Sequence, residues 1–246
     1  MIQFTNKISF LFFFWQSESS KFKCNVFGDF KTLWIFYFRY TRKPHLYAAS
    51  MTSIQLTLKN MGAEDLTDIK VCSSKNFPPE MSIHEFPAIS NLPAGAVSSS
   101  QNATIGIDFN DSTNVASLYL VASGRTFPVQ IQPNVGELMR PVSMSEATFD
   151  QERAKLRGMN EMEASVELPP AHADDASVKK RVYETANLLQ VPSIDSGHLR
   201  FAGLTNSNKY VILLTIEKGQ KIIVNCEKMV MSSMLLKEVK NALMQQ

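Results

Sequence analysis

The hydrophobic period changes near residue 140, from strands alone to helices interleaved with strands, and the change limits what the chain can fold into. Before it, apolar side chains recur at every second position. Ile54-Gln55-Leu56-Thr57-Leu58, Ala103-Thr104-Ile105-Gly106-Ile107-Asp108-Phe109 and Phe127-Pro128-Val129-Gln130-Ile131 alternate as half-buried strands do. Met81-Ser82-Ile83 and Ser117-Leu118-Tyr119-Leu120-Val121 add further strands. Turn clusters lie between them at Lys59–Gly62, Phe77–Pro79, Leu92–Gly95, Asn110–Ser112 and Ala122–Gly124. Roughly six or seven short strands at this spacing predict an antiparallel β-sandwich of immunoglobulin-like type over residues 51–140. No Cys…Trp…Cys pattern of a true immunoglobulin domain is present, and Pro128 places its strand at a sheet edge.

From Ser143 the pattern turns helical. Ser143-Met144-Ser145-Glu146 reads as a capping box opening a helix that runs to about Arg157, with Gly158 as its stop. Met162, Ala164, Val166 and Leu168 then alternate with Glu161, Glu163, Ser165 and Glu167, predicting a strand with one acidic face that ends at Pro169-Pro170. Ser177 is positioned to cap a helix whose stripe is Val178, Val182, Ala186 and Leu189. A strand at Leu199–Leu204 and a hairpin of Tyr210–Ile216 with Ile222–Val224, turning at Lys218-Gly219, follow. A last helix from about Ser232 turns Leu235, Val239, Ala242 and Leu243 inward. Residues 141–246 are therefore expected to form an α+β platform joined to the sandwich near residues 135–142.

The first fifty residues are a different kind of sequence. They hold 15 of the chain's aromatic residues, both Trp among them, and seven Lys/Arg against two Asp/Glu. Phe, Tyr, Ile, Asn and Lys, which AT-rich codons favour, make up 23 of these 50 positions. Residues 1–50 are expected to be a leader of disordered or mis-annotated sequence, much of it translated non-coding DNA. A processed transcript containing the whole stretch would exclude the second reading. Lys7 followed by Ile8–Trp15 imitates a signal-peptide core, but the run is too short to span a bilayer and Gln16–Ser20 lacks a small-x-small cleavage site. If the run acted as a signal, the alternative reading would be a secreted or cell-surface β-sandwich binding protein, and the sequons at Asn102 and Asn110 would then matter. Cys24, Cys72 and Cys226 are isolated and form no C-x-x-C, which fits a reducing compartment. The net charge of +2 excludes a polybasic nucleic-acid binder.

The sequence offers little chemistry. Ser177-Val178-Lys179-Lys180 matches the S-x-x-K of penicillin-binding enzymes, but the companion S-D-N and K-T-G motifs are absent, so Ser177 and Lys180 make a poor hydrolase pair. His45, His84, His172 and His198 are scattered, and no P-loop, G-x-S-x-G or G-x-G-x-x-G occurs. The expectation is a non-enzymatic chain with no cofactor and no metal. Leu213-Leu214-Thr215-Ile216-Glu217 has the form of a clathrin box, yet it lies in the most apolar strand, where burial is the better reading. Lys179, Lys180 and Arg181 form the basic cluster of the domain half. They are the candidate partner-binding residues, for acidic motifs or anionic lipid headgroups, against the plainer reading of a solvated helix face.

Several strings in this order resemble a known family. Gly106–Thr113, Ile131-Gln132-Pro133-Asn134-Val135-Gly136-Glu137-Leu138, Pro141–Glu146 and Gly158–Glu161 resemble the C-terminal appendage region of the beta subunit of adaptor protein complex 3, in the clathrin-adaptor large subunit family. Ser53–Leu58 and Leu235–Lys240 agree with it. The resemblance covers about residues 51–246. It implies a vesicle-coat subunit acting in intracellular transport from Golgi or endosomes to lysosomes and related organelles. It also implies an appendage that recruits accessory and coat proteins, contact with other adaptor subunits only through a trunk, a cytoplasmic and peripheral location, indirect membrane association and no nucleic acid. The family's helical-solenoid trunk and acidic, Ser-rich hinge do not occur in these residues. Cys24–Asp29 resembles the segment that runs directly into Met51–Ile54 in the family, so residues 30–50 read as inserted.

Overall fold

The computed structural model describes residues 34–44, 46–60, 62–95, 100–169, 174–193, 197–217 and 220–245. Its first part is all strand: β1 (Trp34–Pro44), β2 (Thr52–Asn60), β3 (Leu66–Ser73), β4 (Ser82–His84), β5 (Ile89–Leu92), β6 (Ser100–Asp108), β7 (Ala116–Ala122) and β8 (Arg125–Ile131). They form two antiparallel four-stranded sheets, ordered β1-β2-β6-β4 and β5-β3-β7-β8. The period-two pattern is the cause. In β2, Ile54, Leu56 and Leu58 are buried while Gln55, Thr57 and Lys59 are not, and in β7 Ala116, Leu118, Leu120 and Ala122 are buried in the same way. Each fully buried Leu or Ile contributes on the order of 1.5–3 kcal/mol. A cavity of about 10 Å³ is lined by Leu56, Leu58 and Ile105 of one sheet and Val71, Leu118, Leu120 and Val129 of the other, so the inner faces meet. β8, which carries Pro128, is an edge strand.

Three strands of this part were not anticipated: the short β5, β3 and β1. β3 escapes the alternation because Asp68 takes a left-handed φ of 47°, which spaces the buried residues as Leu66, Ile69 and Val71. β1 lies in the segment expected to be without fixed structure; it pairs with β2 from Trp34↔Asn60 to Thr41↔Ser53, with a register shift before Pro44. Residues 1–33 lie outside the described residues, and with them the signal-like run and Cys24.

The remainder comprises a 3-10 turn (Val135–Glu137), β9 (Met139–Pro141), α1 (Glu146–Lys155), a second 3-10 turn (Gly158–Asn160), β10 (Glu161–Ser165), α2 (Asp175–Ala186), β11 (Leu189–Val191), β12 (His198–Thr205), β13 (Val211–Glu217), β14 (Lys221–Asn225) and α3 (Met229–Met244). The sheet order is β10-β14-β13-β12-β11, with β9 also on β12, all antiparallel. One face of this sheet carries Phe201, Ile212, Leu214 and Val224, which share a core with Val178 and Val182 of α2 and Leu235 and Val239 of α3. The other face carries Ala202 and Leu213 under Phe149 and Leu156 at α1.

Several element ends differ from expectation. Ser145, not Ser143, caps α1: its Oγ accepts from the Thr148 N–H at 3.2 Å. The Glu146 carboxylate is committed to Arg200 (2.9 Å) and Ser193 (2.5 Å), so it does not close a capping box. The helix ends at Lys155, before Gly158. Asp174, not Ser177, caps α2, accepting from Ser177 N–H at 2.9 Å. β10 stops at Ser165 rather than Leu168, and α3 begins at Met229, ahead of Ser232.

The two parts are joined through residues 133–138. Val135 is fully buried, and its N–H faces both oxygens of Glu238 at 3.4 Å. The Glu137 carbonyl accepts from Thr52 Oγ1 of β2 (2.9 Å) and from Asn206 Nδ2 of the β12–β13 turn (2.7 Å). Gly136 approaches the last turn of α2 so closely that a Cβ would stand 2.3 Å from the Thr185 carbonyl oxygen. Beside it, Asn110 and Asp111 hold left-handed φ angles of 46° and 58°. Lys209 Nζ donates to Asn110 Oδ1 (3.1 Å), and Ser207 Oγ donates to Asp111 Oδ2. Gly136→Ala is expected to lower stability by about 2–3 kcal/mol, because the obstruction is backbone and cannot rotate away. Urea unfolding of the purified chain measures it, and a change within about ±0.5 kcal/mol would contradict the packing described here.

Candidate interaction surfaces

α2 presents the basic cluster. Ser177 lies in its first turn, hydrogen-bonded to Asp174, and these bonds, its side chain's first and its backbone's second, hold the Asp174 carboxyl below the ordinary aspartate range. Lys180 Nζ stands 3.9 Å from Glu184, one turn on, with its side chain 75% exposed. Ser177 thus donates to the Asp174 cap and Lys180 lies on the helix surface, with no bond between them. Lys179 is half-buried. Arg181 points the other way: its Nη1 donates to the carbonyls of Ala242 (2.6 Å) and Gln245 (3.0 Å), closing the C-terminus of α3. The structure keeps Lys179 and Lys180 together at the surface and assigns Arg181 to packing between helices. The sequence could not separate them, because the α2–α3 contact is tertiary.

The clathrin-box string is buried: Leu213, Leu214, Thr215 and Ile216 are solvent-inaccessible in β13, a central strand. His84 stacks on Tyr47 with ring centroids 4.2 Å apart, and His198 stands 3.9 Å from Glu217. His45 and His172 lie outside the described residues. Among the described residues no group of three His, Cys, Asp or Glu side chains converges to hold a metal. Burial raises the Cys226 thiol above its ordinary value. No helix of the described residues is long and apolar enough to cross a membrane.

A second surface has no counterpart among the sequence expectations. A groove of about 460 Å³ opens where the two parts meet, between Asp111–Asn114 and Glu227–Met231. Met229 and Val230 stand 55% and 67% exposed at its rim, with buried Met231 at the base of the same helical turn. The opposite wall is fixed by Glu80, which accepts from Ser112 Oγ and Asn114 Nδ2 at 3.3 Å. Its carboxyl is held below the ordinary range by its own backbone N–H first, then by Asn114 and Ser112. Lys228 lies over the Tyr210 ring at 5.2 Å. The groove can receive an apolar side chain between polar walls.

Comparison with known proteins accounts for both parts. Residues 31–114 match the family described as the C-terminal part of the clathrin-adaptor complex-3 beta-1 subunit, and residues 136–243 match AP-3 complex subunit beta-1, C-terminal domain. The chain is 39% identical over 212 residues to mouse AP-3 complex subunit beta-2, covering 85% of this chain and 19% of the relative. It is 37% identical over 211 residues to human AP-3 complex subunit beta-1, covering 84% and 19%. The chain belongs to the AP-3 beta C-terminal family. It spans about a fifth of the length of these curated relatives. Within this AP-3 beta region, Arg181→Ala is expected to lower stability by about 1–2 kcal/mol through loss of the bonds to the end of α3. Lys179→Ala with Lys180→Ala is expected to stay within about 0.5 kcal/mol of the parent. Thermal or urea melts distinguish the two.

Proposed function

We propose that this chain is a non-enzymatic protein-interaction appendage of a vesicle-coat adaptor subunit, with a β-sandwich over residues 51–140 and an α+β platform over residues 141–246. The observation that carries the reading is the pair of family matches, residues 31–114 on the first part of the fold and residues 136–243 on the second. The reading extends to transport between Golgi or endosomes and lysosomes or related organelles. There the chain acts on the cytoplasmic side, peripheral to vesicle membranes, and its membrane association runs through the adaptor complex. Its partners are accessory and coat proteins. Other adaptor subunits make contact through a trunk of the kind the longer relatives have room for. Lys179 and Lys180 are the residues proposed to meet acidic partner motifs, since Lys180 is exposed with Lys179, half-buried, next to it on the same helix. The relatives lend nothing to a secreted reading.

The test is a chimaera in which residues 51–246 replace the matching C-terminal region of mouse AP-3 complex subunit beta-1, expressed in cells lacking that protein. Restored lysosomal delivery of cargo, with delivery reduced by Lys179→Ala/Lys180→Ala at equal expression, is the expected result. A chimaera that assembles with the other subunits but sorts nothing would overturn the appendage reading. Unchanged sorting by the double variant would remove the two lysines from it.

A further inference from the structure

β10 ends the third sheet with one edge open. Hydrogen bonding to β14 uses only alternate residues. Cys226 N–H donates to the Asn160 carbonyl (3.0 Å) and Val166 N–H to the Gln220 carbonyl (3.1 Å), which makes 160, 162, 164 and 166 the residues bonded to β14. By the same alternation, the N–H and C=O groups of Glu163 and Ser165 point away from the sheet, and among the described residues nothing bonds to them. Three of the other edge strands carry blocking features. β8 contains Pro128, and β4 and β5 are three and four residues long.

The face beside this open edge is acidic. Glu161 and Glu163 of β10 share it with Glu217 of β13, and register places Lys221 of β14 among them. Lys221 Nζ donates to Glu163 at 2.9 Å, and the ammonium is held protonated above its ordinary range by Glu163 first and by Glu217 and Glu161 further off. The face thus carries three carboxylates and one ammonium, with Glu163 bonded to Lys221 and Glu161 accepting from Asn225 Nδ2 at 2.9 Å. A second copy of β10 laid against this edge would set glutamate beside glutamate, which disfavours self-pairing. A strand carrying Lys or Arg at alternate positions meets the reverse situation. Its backbone finds the free groups of Glu163 and Ser165, and its cations fall about 5 Å from the glutamate row.

We propose that the β10 edge is a β-strand addition site for an extended basic segment of a partner protein, with Lys or Arg facing Glu161 and Glu163 and small or apolar residues at the intervening positions. This does not rest on the adaptor reading, since it uses only the sheet edge and its charge.

The full 246-residue chain is titrated with the peptide Lys-Val-Lys-Val-Lys-Val-Lys, blocked at both ends, while amide exchange is followed residue by residue. Saturable binding with new protection at Glu163 and Ser165 is expected. Lys-Pro-Lys-Pro-Lys-Pro-Lys, equal in charge but without the alternate donors, is expected to bind at least about tenfold more weakly, as is Glu-Val-Glu-Val-Glu-Val-Glu. Glu163→Lys, a surface change outside the core, is expected to abolish binding of the basic peptide. Ser165→Pro, which removes an outward N–H, is expected to weaken it about tenfold, provided its melt matches the parent. Equal binding of the proline peptide, or binding that leaves Glu163 and Ser165 exchanging freely, would overturn the proposal and leave only non-specific charge attraction. So would undiminished binding by Glu163→Lys.

Discussion

The packing of Gly136 against the last turn of α2 is the contact on which the rest of the structure depends. It lets a 3-10 turn of three residues lie where β2, α2, α3 and the β12–β13 turn all converge. Each of those elements spends a polar group on the backbone of that turn or the residues beside it. Thr52 and Asn206 take the Glu137 carbonyl, Glu238 takes the Val135 N–H, and Asn187, itself at a φ of 55°, takes the Met139 carbonyl. A buried connector with unsatisfied peptide groups would cost on the order of 1–3 kcal/mol per group. Here nearby side chains cover them, and the apolar cluster runs without a break from the first two sheets into the third.

That arrangement explains a string the sequence could present only as a family likeness. Pro133-Asn134-Val135-Gly136-Glu137-Leu138 shows no period, and nothing local in it requires a glycine; the φ at Gly136 is not in the left-handed region. The requirement comes from the Thr185 carbonyl, 49 positions away in sequence, and appears only when α2 is in place. The alternating strands and amphipathic helices were legible because they answer to local period and to one face of burial each. Helix starts were misplaced where two capping residues competed. Ser145 displaced Ser143 because Arg200 and Ser193 hold Glu146, and Asp174 displaced Ser177 because the Ser177 N–H and hydroxyl both turn back to its carboxylate.

The same limit governed the surfaces. A triplet of basic residues on a helix reads as one patch, yet successive residues on a helix point about 100° apart. Lys180 is left in solvent while Arg181 swings to the carboxyl end of α3. The groove at Met229 and Val230 has no sequence signature, because one wall comes from the turn after β6 and the other from the start of α3. The Asp111–Ser207 contact beside it ties that turn to the second part of the fold, so the two walls are held together.

The third sheet then has two unlike faces for one physical reason. The face toward α2 and α3 is buried under two amphipathic helices and is apolar at Phe201, Ile212, Leu214 and Val224. The face toward α1 has a single ten-residue helix with one fully buried side chain, Phe149, to cover it. Arg200 holds that helix by reaching Glu146 and Asp150 while its guanidinium lies 5.6 Å from the Phe149 ring centroid. A helix so short covers only part of a five-strand width, and the remaining surface near β10 is left to charge: Glu161, Glu163, Glu217 and Lys221. Acidic residues there are compatible with folding because water solvates them, and they discourage aggregation through the open edge of β10. The apolar face thus secures the fold, while the charged face decides what is able to approach it.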